Sequence, residues 1–234
     1  MAGINGDTAL QSTVLEDLSD AVNYQRWLAD LARPYLGDEP LEIGSGIGDY
    51  AALWLPGVKH FTATEGDPQR LLGLKGRFAD EPRVTTRELL LPTDETGSYS
   101  AIVALNVWEH IDDHVGALVS VKRLLRPGGA VVLVVPAFEA AMSRFDREIG
   151  HVRRYTKRSM AQALTDAGLR IEQLHYVNPV GLISWMVVCR LLRQRPQNGV
   201  MLRAYDRMVI PVLRKAERGR KPPFGQSVFA VART

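Results

Sequence analysis

The sequence predicts an α/β fold in which a mostly parallel sheet of seven strands carries helices on both faces. Two observations lead to this prediction. Segments of strand character alternate with segments of helical period along most of the 234 residues, which is typical of parallel strands joined by helical crossovers. The run AVVLVVP at 130–136 is continuously apolar and largely β-branched, as expected of a parallel strand that is buried on both faces.

Seven segments have the composition or the alternation of strands. VKHFTATE alternates between polar and apolar residues, YSAIVALN is typical of a buried strand, and RPGG turns the chain into the fifth strand. The expected strands are 41–43, 58–65, 83–89, 99–106, 130–136, 169–177 and 227–233.

Helical segments lie between these strands and begin at recognisable signals. Thr13 and Glu16 have capping-box spacing, Pro68 suits a first helical turn, and Thr156 can cap a helix that Gly168 ends. The expected helices are about 13–33, 50–55, one that begins at 68, 112–125 and 157–167.

One region departs from the alternation. Between 178 and 221 the sequence predicts two helices, near 180–193 and 200–216, inserted before the last strand. The first is apolar, and the second is amphipathic and rich in arginine. We expect a single domain over 1–234, with an N-terminal cap helix at about 13–33 and an insertion at about 178–221 that partly covers a site.

Composition narrows the class of protein. Hydrophobic residues make up 46% of the chain and charged residues 24%, as in globular proteins, and the net charge of +3 does not call for nucleic acid. The first residues do not resemble a signal peptide. The longest apolar run, 179–192, is interrupted by Arg190 and is shorter than the about 20 residues of a membrane span. The single cysteine, Cys189, excludes an intrachain disulfide, so we expect a cytoplasmic protein.

The segment LEIGSGIGDY places glycines at alternate positions directly after the first strand. These are Gly44, Gly46 and Gly48. Ligands of open α/β sheets bind at the carboxyl ends of strands, so a ligand is expected to approach this backbone closely. A dinucleotide would require a glycine or alanine where Asp49 stands, which disfavours a nicotinamide oxidoreductase. The acidic Glu42 and Asp49 suit a positively charged group better than a pyrophosphate.

Further motifs accompany the glycines. Glu65 ends the second strand about 20 residues further on, where a carboxylate can accept hydrogen bonds from both ribose hydroxyls. NVWEHI follows the fourth strand and RLLRPGG precedes the fifth. Together with E-x-G-x-G-x-G, these motifs resemble the class I S-adenosylmethionine-dependent methyltransferases over nearly the whole chain. The resemblance implies their Rossmann-like seven-stranded sheet, and S-adenosylmethionine as the methyl donor.

Three other segments resemble a bacterial subgroup of that family: NYQRW, GHVRRYT and PPFGQSVFAVAR. Its members often accompany glycosyltransferases, and the similarity extends to sugar O-methyltransferases of actinobacterial methylated polysaccharide pathways. By this analogy, the acceptor is expected to be a small molecule or a glycan.

The resemblance also implies a donor site built from the first, second and fourth strands. Many relatives carry an aspartate after the third strand that bonds the adenine amino group, but this chain has ELLLPTD there. Adenine is therefore expected to rest on the backbone around Leu89 and Leu90. The expected donor-binding residues are Tyr24, Glu42, Gly44, Gly46, Gly48, Glu65, Leu89 and Asn106.

Methyl transfer to a hydroxyl is helped by a base, because a hydroxyl is a poor nucleophile until it loses its proton. Among the five histidines, His110 follows the fourth strand, near the expected reactive end of the donor. His151 lies in the loop after the fifth strand, on the acceptor side. We expect His151 to be the base, with His110 as the alternative, although either can have a structural role such as ordering a loop.

The acceptor side carries arginines and aromatic residues. The arginines could bind an acidic group or form solvated ion pairs, and the aromatic rings could stack on a sugar or pack in the core. The expected substrate-binding residues are Trp27, Asp146, Arg153, Arg154, Tyr155 and Asn178.

A divalent cation is a further expectation, because Mg²⁺ could hold the vicinal hydroxyls of a sugar. The acids at 112 and 113 more simply cap a helix. The candidate ligands that lie close together along the chain are Asp112, Asp113, Asp146, Glu148 and His151.

The leading expectation is O-methylation of a hydroxyl on a sugar, an oligosaccharide or a small metabolite. The alternative is O- or C-methylation of a lipid, polyketide or quinone-type precursor, with the arginine-rich insertion resting on a membrane surface. A noncatalytic partner subunit is disfavoured by the intact glycine loop and by Glu65. Nucleic-acid methylation is unsupported, since no N-P-P-Y-like motif follows the fourth strand. A homodimer contact through the apolar helix of the insertion stays open.

Overall fold

The computed structural model describes residues 6–192 and 200–234. Its strands are β1 (Leu41–Glu42), β2 (Phe61–Thr64), β3 (Val84–Arg87), β4 (Tyr99–Leu105), β5 (Leu125–Pro136), β6 (Arg170–Val177) and β7 (Ser227–Arg233). They form one sheet in the order β3-β2-β1-β4-β5-β7-β6. Strands β1 to β5 run parallel to one another, and β7 is antiparallel to both β5 and β6. This arrangement confirms the predicted fold class. The strand order reverses between β1 and β4, which places a crevice at the carboxyl ends of these strands.

Helices cover both faces of the sheet. They are α1 (Thr8–Ser19), α2 (Val22–Ala32), α3 (Asp49–Trp54), α4 (Pro68–Arg77), α5 (His114–Leu124), α6 (Arg144–Glu148), α7 (Lys157–Asp166), α8 (Pro179–Trp185), α9 (Val200–Ala204) and α10 (Ile210–Gly219). Two π-helical segments, Met186–Leu191 and Tyr205–Val209, continue α8 and join α9 to α10.

The core divides into two layers because strand side chains alternate between the faces. In β4, Ile102 packs with α5 and α7 on one face. Its neighbour Val103 packs on the other face with α2, α3 and α4. Trp54 of α3 is fully buried in this second layer, and its indole N–H donates to the carbonyl of Ala29 at 2.9 Å. The two layers hold the sheet rigid and so fix the positions of the loops at its carboxyl edge.

The N-terminal part differs from the single helix expected at about 13–33. The structure has two helices, because the backbone of Ala21 is not helical, with φ −89° and ψ 58°. Asp7 caps α1, since its carboxylate accepts from the amides of Ala9 at 3.0 Å and Leu10 at 3.1 Å. Thr13 therefore lies inside α1 rather than at its start, and its hydroxyl donates to the carbonyl of Ala9.

The loop after β5 contains a helix that the sequence did not predict. This helix, α6, begins with a capping box in which Ser143 accepts from the amide of Asp146 and the Asp146 carboxylate accepts from the amide of Ser143. The local bonds hold Asp146 in a fully buried position. The loop beside the crevice is therefore an ordered element.

The insertion before β7 packs against two separate parts of the domain. Asp206 accepts from the backbone amide of Tyr24 at 2.8 Å, which attaches the second half of the insertion to the start of α2. Trp185 of α8 donates to the carbonyl of Ala141 at 3.0 Å, beside the loop after β5. The expected end of the first helix, at 193, lies outside the described residues. In the described part of the chain, no helix combines the length and the apolarity that crossing a bilayer requires.

Candidate active site

A cavity of about 1040 Å³ lies at the carboxyl edge of the sheet. Residues directly after, or at the end of, each of the first five strands line it: Ile43, Glu65, Leu89, Asn106 and Pro136. Sites for single small molecules typically measure about 300–1,000 Å³. The volume is at the upper end of this range.

The glycines after β1 form a tight loop along one wall of this cavity. All three are in the left-handed region, with φ of 67° at Gly44, 56° at Gly46 and 85° at Gly48. A Cβ at Gly44 would lie 2.7 Å from Cγ2 of Val107, and one at Gly48 would lie 2.6 Å from Cε2 of Phe78. At these two positions the protein's own side chains, together with the backbone conformation, exclude a larger residue.

Replacing Gly44 with alanine is expected to weaken binding of the demethylated methyl donor. An L-residue in the left-handed region costs about 1–2 kcal/mol, and the new methyl group must displace Val107, which lines the cavity. Calorimetric titration measures the loss. Gly73 of α4 is the matched control, because an added Cβ there meets no atom within 4 Å. Gly73→Ala should keep the affinity and stabilise the helix by about 0.5–1 kcal/mol. Equal affinities in the two variants would contradict the expectation.

Glu65 stands at the end of β2 with its side chain held in place. Its carboxylate accepts from the amides of Gly46 and Asp67, each at 2.9 Å. It also forms an ion pair with Arg70 at 3.2 Å. A carboxylate offers about four acceptor positions, so one remains for a ligand in the cavity. Sequence reasoning missed Arg70, which follows Glu65 by five residues in the first turn of α4 and also lines the cavity.

Glu42 and Asp49 do not form the anionic pair that the sequence suggested. Asp49 is paired with Arg77 at 2.6 Å. Glu42 is 2% exposed and lies outside the lining of the cavity. Burial, reinforced by the charges of Glu65 and Asp49 and opposed by a bond from Ser45, raises the pKa of Glu42 to about 8. Its carboxyl group is therefore mostly neutral at pH 7.

The buried Glu42 is expected to make stability depend on pH. Its pKa in the folded protein, about 8, lies above the ordinary 4.5, so the stabilisation is complete below pH 4.5 and is lost as the pH rises towards 8. Each unit of such a shift corresponds to about 1.4 kcal/mol. Denaturant unfolding of Glu42→Gln and the parent protein should show their difference growing in favour of the variant from pH 5 to pH 8. A difference that stays constant with pH would refute this.

The part of the cavity wall that follows β3 is apolar. It is lined by Leu89, Leu90, Leu91 and Pro92 from the segment after β3. Asn106 follows β4 with a positive φ of 56°, and its amide donates to the carbonyl of Val134 at 2.8 Å. This conformation turns the chain out of the sheet, so that Asn106 and the residues after it line the cavity.

His151 and His110 meet in the wall of the cavity. Their rings contact edge to face, with centroids 4.7 Å apart. Nδ1 of His151 bonds to Asp146 at 2.7 Å, while Nε2 lies 3.7 Å from Oε1 of Glu109. Burial, with a contribution from His151, lowers the pKa of His110 to about 3, so this ring is neutral at neutral pH.

Glu109 is the functional candidate that sequence reasoning missed. It is fully buried yet lines the cavity, and neither carboxylate oxygen has a hydrogen-bond partner among the described residues. Burial raises its pKa to about 7, against the opposing charge of His151. The segment NVWEHI places Glu109 directly before His110, after β4. The position of Glu109 was therefore visible in the sequence, but His110 was chosen there as the candidate base.

Asp146 and Arg154 form an ion pair on the side of His151 that carries Nδ1. Arg154 forms a buried ion pair with Asp146 at 2.7 Å, and its guanidinium lies 4.8 Å from the ring centroid of Trp185. Burial alone would raise the pKa of Asp146, but bonds from His151, Arg154 and Ser143 lower it to about 2. Asp146 is therefore an anion that orients His151. It lies outside the lining of the cavity, whereas Arg154 is part of that lining.

Asn178, which is expected to bind substrate, lines the cavity, and so does Tyr24, which is expected to bind the donor. Trp27 and Tyr155 do not, since they are 3% and 1% exposed and pack in the two core layers. Arg153 also lies outside the lining, with its guanidinium donating to the carbonyls of Ile111 and Asp112. Trp27, Tyr155 and Arg153 thus stand outside the cavity wall in this structure, and their part in binding substrate stays a prediction.

The five expected Mg²⁺ ligands do not form one cluster, although Asp146 and His151 are bonded to each other. Asp113 caps α5 by accepting from the amide of Gly116 at 2.9 Å, and Glu148 pairs with Arg144 at 2.8 Å. Within the described ranges, the group that could hold a metal ion is Glu109, His110 and His151, whose ligand atoms lie within 4.8 Å of one another.

Comparisons with known proteins agree with this geometry. The model of a methyltransferase domain family matches residues 15–174. Among curated proteins, the reducing polyketide synthase Preu2 of Preussia isomera is 31% identical over 116 residues, which are 46% of this chain and 5% of that protein. The chain thus spans a small part of that relative's length.

Solved structures share the fold. A chain in the complex between the Haloferax volcanii Trm112 methyltransferase activator and a methyltransferase has a TM-score of 0.65 at 13% identity, with 99% of both chains covered. A geranyl diphosphate methyltransferase in complex with GPP and sinefungin has a TM-score of 0.62 at 16% identity, with 88% of this chain and 77% of that chain covered. At these identities the likeness shows the fold alone. The family match shows more: the chain belongs to the methyltransferase domain family and is an S-adenosylmethionine-dependent methyltransferase.

Proposed function

We propose that the protein transfers a methyl group to a hydroxyl oxygen of a largely apolar acceptor, such as a lipid, polyketide or quinone-type precursor. The observation that carries this proposal is the lining of the cavity beside His151. Its members include Phe145, Ile149, Trp185, Val188 and Leu202. An apolar surface of this kind binds an acceptor by removing carbon skeleton from water.

A saccharide acceptor is supported less well, because the polar side chains near this surface bond to one another. Asn178 accepts from Tyr205 at 2.7 Å and from the amide of Gly181 at 2.9 Å, and it donates to Gln226 at 2.8 Å. Few of its hydrogen-bonding positions are left for sugar hydroxyls. One relative is named a polyketide synthase and one solved structure a geranyl diphosphate methyltransferase; neither name refers to a saccharide.

The donor fits the wall that the glycine loop forms. Gly44 brings backbone to the cavity wall, Glu65 has one acceptor position for ribose, and Leu89 and Leu90 offer an apolar surface to adenine. When bound, S-adenosylmethionine supplies an electrophilic methyl group on a positively charged sulfur. The chain holds the acceptor oxygen in line with that methyl, and this positioning supplies much of the acceleration.

His151 handles the proton of the acceptor in this proposal. Asp146 holds Nδ1, which directs Nε2 away from the Asp146–Arg154 pair and towards Glu109 at the cavity wall. As the acceptor oxygen bonds to the methyl carbon, the carbon–sulfur bond breaks and its electron pair goes to sulfur. The hydroxyl proton passes to Nε2 and from there to solvent.

The exposed side of the insertion suggests where such acceptors are met. Large apolar side chains of α8 to α10 face solvent: Ile183, Val187, Leu191, Met201, Met208 and Val212. We propose a cytoplasmic enzyme whose insertion rests on a membrane surface or on a second copy of the chain. Vesicle flotation and sedimentation of the free protein distinguish these two partners.

An acceptor screen with a labelled methyl donor tests the proposal. Prenylated phenols, hydroxylated polyketide fragments and isoprenoid alcohols are compared with monosaccharides and oligosaccharides. Label on the apolar acceptors, in an alkali-stable ether, is the expected result. Label confined to saccharides would overturn the acceptor class. Calorimetry with the demethylated donor and with NAD serves as the cofactor control, and binding of NAD alone would contradict the donor site.

A further inference from the structure

We propose that Glu109, His110 and His151 bind one divalent cation of borderline softness, represented by Zn²⁺, at the acceptor side of the cavity. Their ligand atoms lie within 4.8 Å of one another. Tetrahedral coordination with bonds of about 2.1 Å requires separations of about 3.4 Å. Nε2 of His151 and Oε1 of Glu109, at 3.7 Å, are already close to this spacing. Small side-chain rotations would complete the site.

The second observation is the condition of the Glu109 carboxylate. The side chain is 0% exposed, and neither oxygen has a hydrogen-bond partner among the described residues. Buried polar groups are nearly always satisfied, so an unsatisfied carboxylate that lines a cavity indicates a missing partner. A cation held between Glu109 and the two imidazoles supplies that partner.

His151 is supported in the way that ligating histidines usually are. Such histidines present one ring nitrogen to the metal while the other bonds to a carboxylate or a carbonyl. Here Asp146 holds Nδ1 at 2.7 Å and is itself fixed by Arg154 and Ser143. The backbone adds a second constraint, since the amide of Val152 donates to the carbonyl of Glu109 at 2.9 Å. The loop after β5 is thereby attached to the segment after β4.

The chemical nature of the three ligands decides which kind of metal ion the site prefers. Mg²⁺ prefers octahedral oxygen ligands, whereas two imidazoles and one carboxylate suit Zn²⁺ or another borderline cation. Three protein ligands leave one coordination position for a further oxygen. The role of that position rests on the proposed function: a bound cation would polarise an acceptor hydroxyl there and so favour loss of its proton to solvent. With the cation bound, His151 is a ligand, and in the metal-free protein it accepts the proton directly.

The test measures metal binding without any turnover. Protein freed of its affinity tag and treated with a chelator is titrated with Zn²⁺ by calorimetry, and with Co²⁺ while the visible absorption is recorded. We expect one cation per chain and a Co²⁺ absorption band. Glu109→Gln should weaken Zn²⁺ binding at least about tenfold. Glu148→Gln is the matched control, because Glu148 pairs with Arg144 outside the cluster, and it should retain the parent affinity.

Several results would overturn the proposal. They are the absence of saturable one-to-one binding by the parent protein, an unchanged affinity in Glu109→Gln, and displacement of Zn²⁺ by an equal concentration of Mg²⁺. If Glu109→Gln fails to fold, His110→Asn takes its place. Methylation that proceeds at the same rate after chelation would disprove the role of the cation in the reaction. Zn²⁺ binding in a protein that methylates none of the acceptors would refute the proposed acceptor class and leave the metal site standing.

Discussion

Replacing His151 with alanine is expected to lower kcat by about 10²–10⁴-fold, the usual cost of removing a general base. The same loss is expected if His151 works through a cation, because the variant then lacks a ligand. Affinity for the methyl donor should change by no more than a few-fold, since the residues expected to bind the donor lie outside the loop after β5. Steady-state kinetics and calorimetry measure the two quantities separately.

His60 provides a control for the loss of an imidazole. Its Nε2 lies 2.9 Å from Oγ1 of Thr85 and it does not line the cavity, so His60→Ala should keep the parent kcat. His110→Ala is informative in a different way, because His110 lines the cavity, contacts the ring of His151 and follows the strand β4. We expect that variant to affect donor affinity as well as turnover. Near-normal turnover of His151→Ala would move the base to another residue.

Replacing Asp146 with asparagine is expected to lower the free energy of unfolding by about 3–5 kcal/mol, because it leaves a buried charge without its partner. The guanidinium of Arg154 is 2% exposed and has its closest ionic contact with Asp146, at 2.7 Å. Asparagine has almost the same shape, so the loss reports the charge and not the packing. Denaturant unfolding at pH 7 measures the difference.

Asp94 is the matched control for this substitution. It pairs with Arg123 at 3.4 Å with its side chain fully exposed, and exposed pairs typically contribute less than about 1 kcal/mol. Asp94→Asn should therefore unfold almost as the parent does. Equal losses of unfolding free energy in the two variants would show that the buried Asp146–Arg154 ion pair does not stabilise the loop after β5.

The fold was predictable because its signals are local. The buried run of β5 and the glycines after β1 each specify an element from a few neighbouring residues, and alternation then specifies a parallel sheet. The division of the N-terminal helix at Ala21 was not predictable in this way. It depends on Asp206, a residue of the distant insertion. Its carboxylate accepts hydrogen bonds from the backbone amides of Asn23 and Tyr24.

Residues of the candidate site could be predicted only where the type and the position of one residue indicate its role. His151 was identified from its place in the chain, but the Glu109 carboxylate facing it comes from a different loop. Asp146 and Arg154 were expected to contact substrate, and only the packing shows that Asp146 instead lies behind His151. Trp27 and Tyr155 illustrate the same limit, because an aromatic residue near a site in sequence can be turned into the core.

The place of β7 between β5 and β6 makes completion of the sheet depend on the order of synthesis. β6 is an edge strand, and β7 is its neighbour in the sheet. Val131 of β5 is in register with Ala232. During synthesis, β5 and β6 therefore leave the ribosome long before β7, the strand that lies between them. Pairings between such distant segments close large loops and form slowly, and unpaired strand edges invite association with other chains. A ribosome that stalls within the insertion would thus expose two open strand edges, which is the kind of intermediate that chaperones retain.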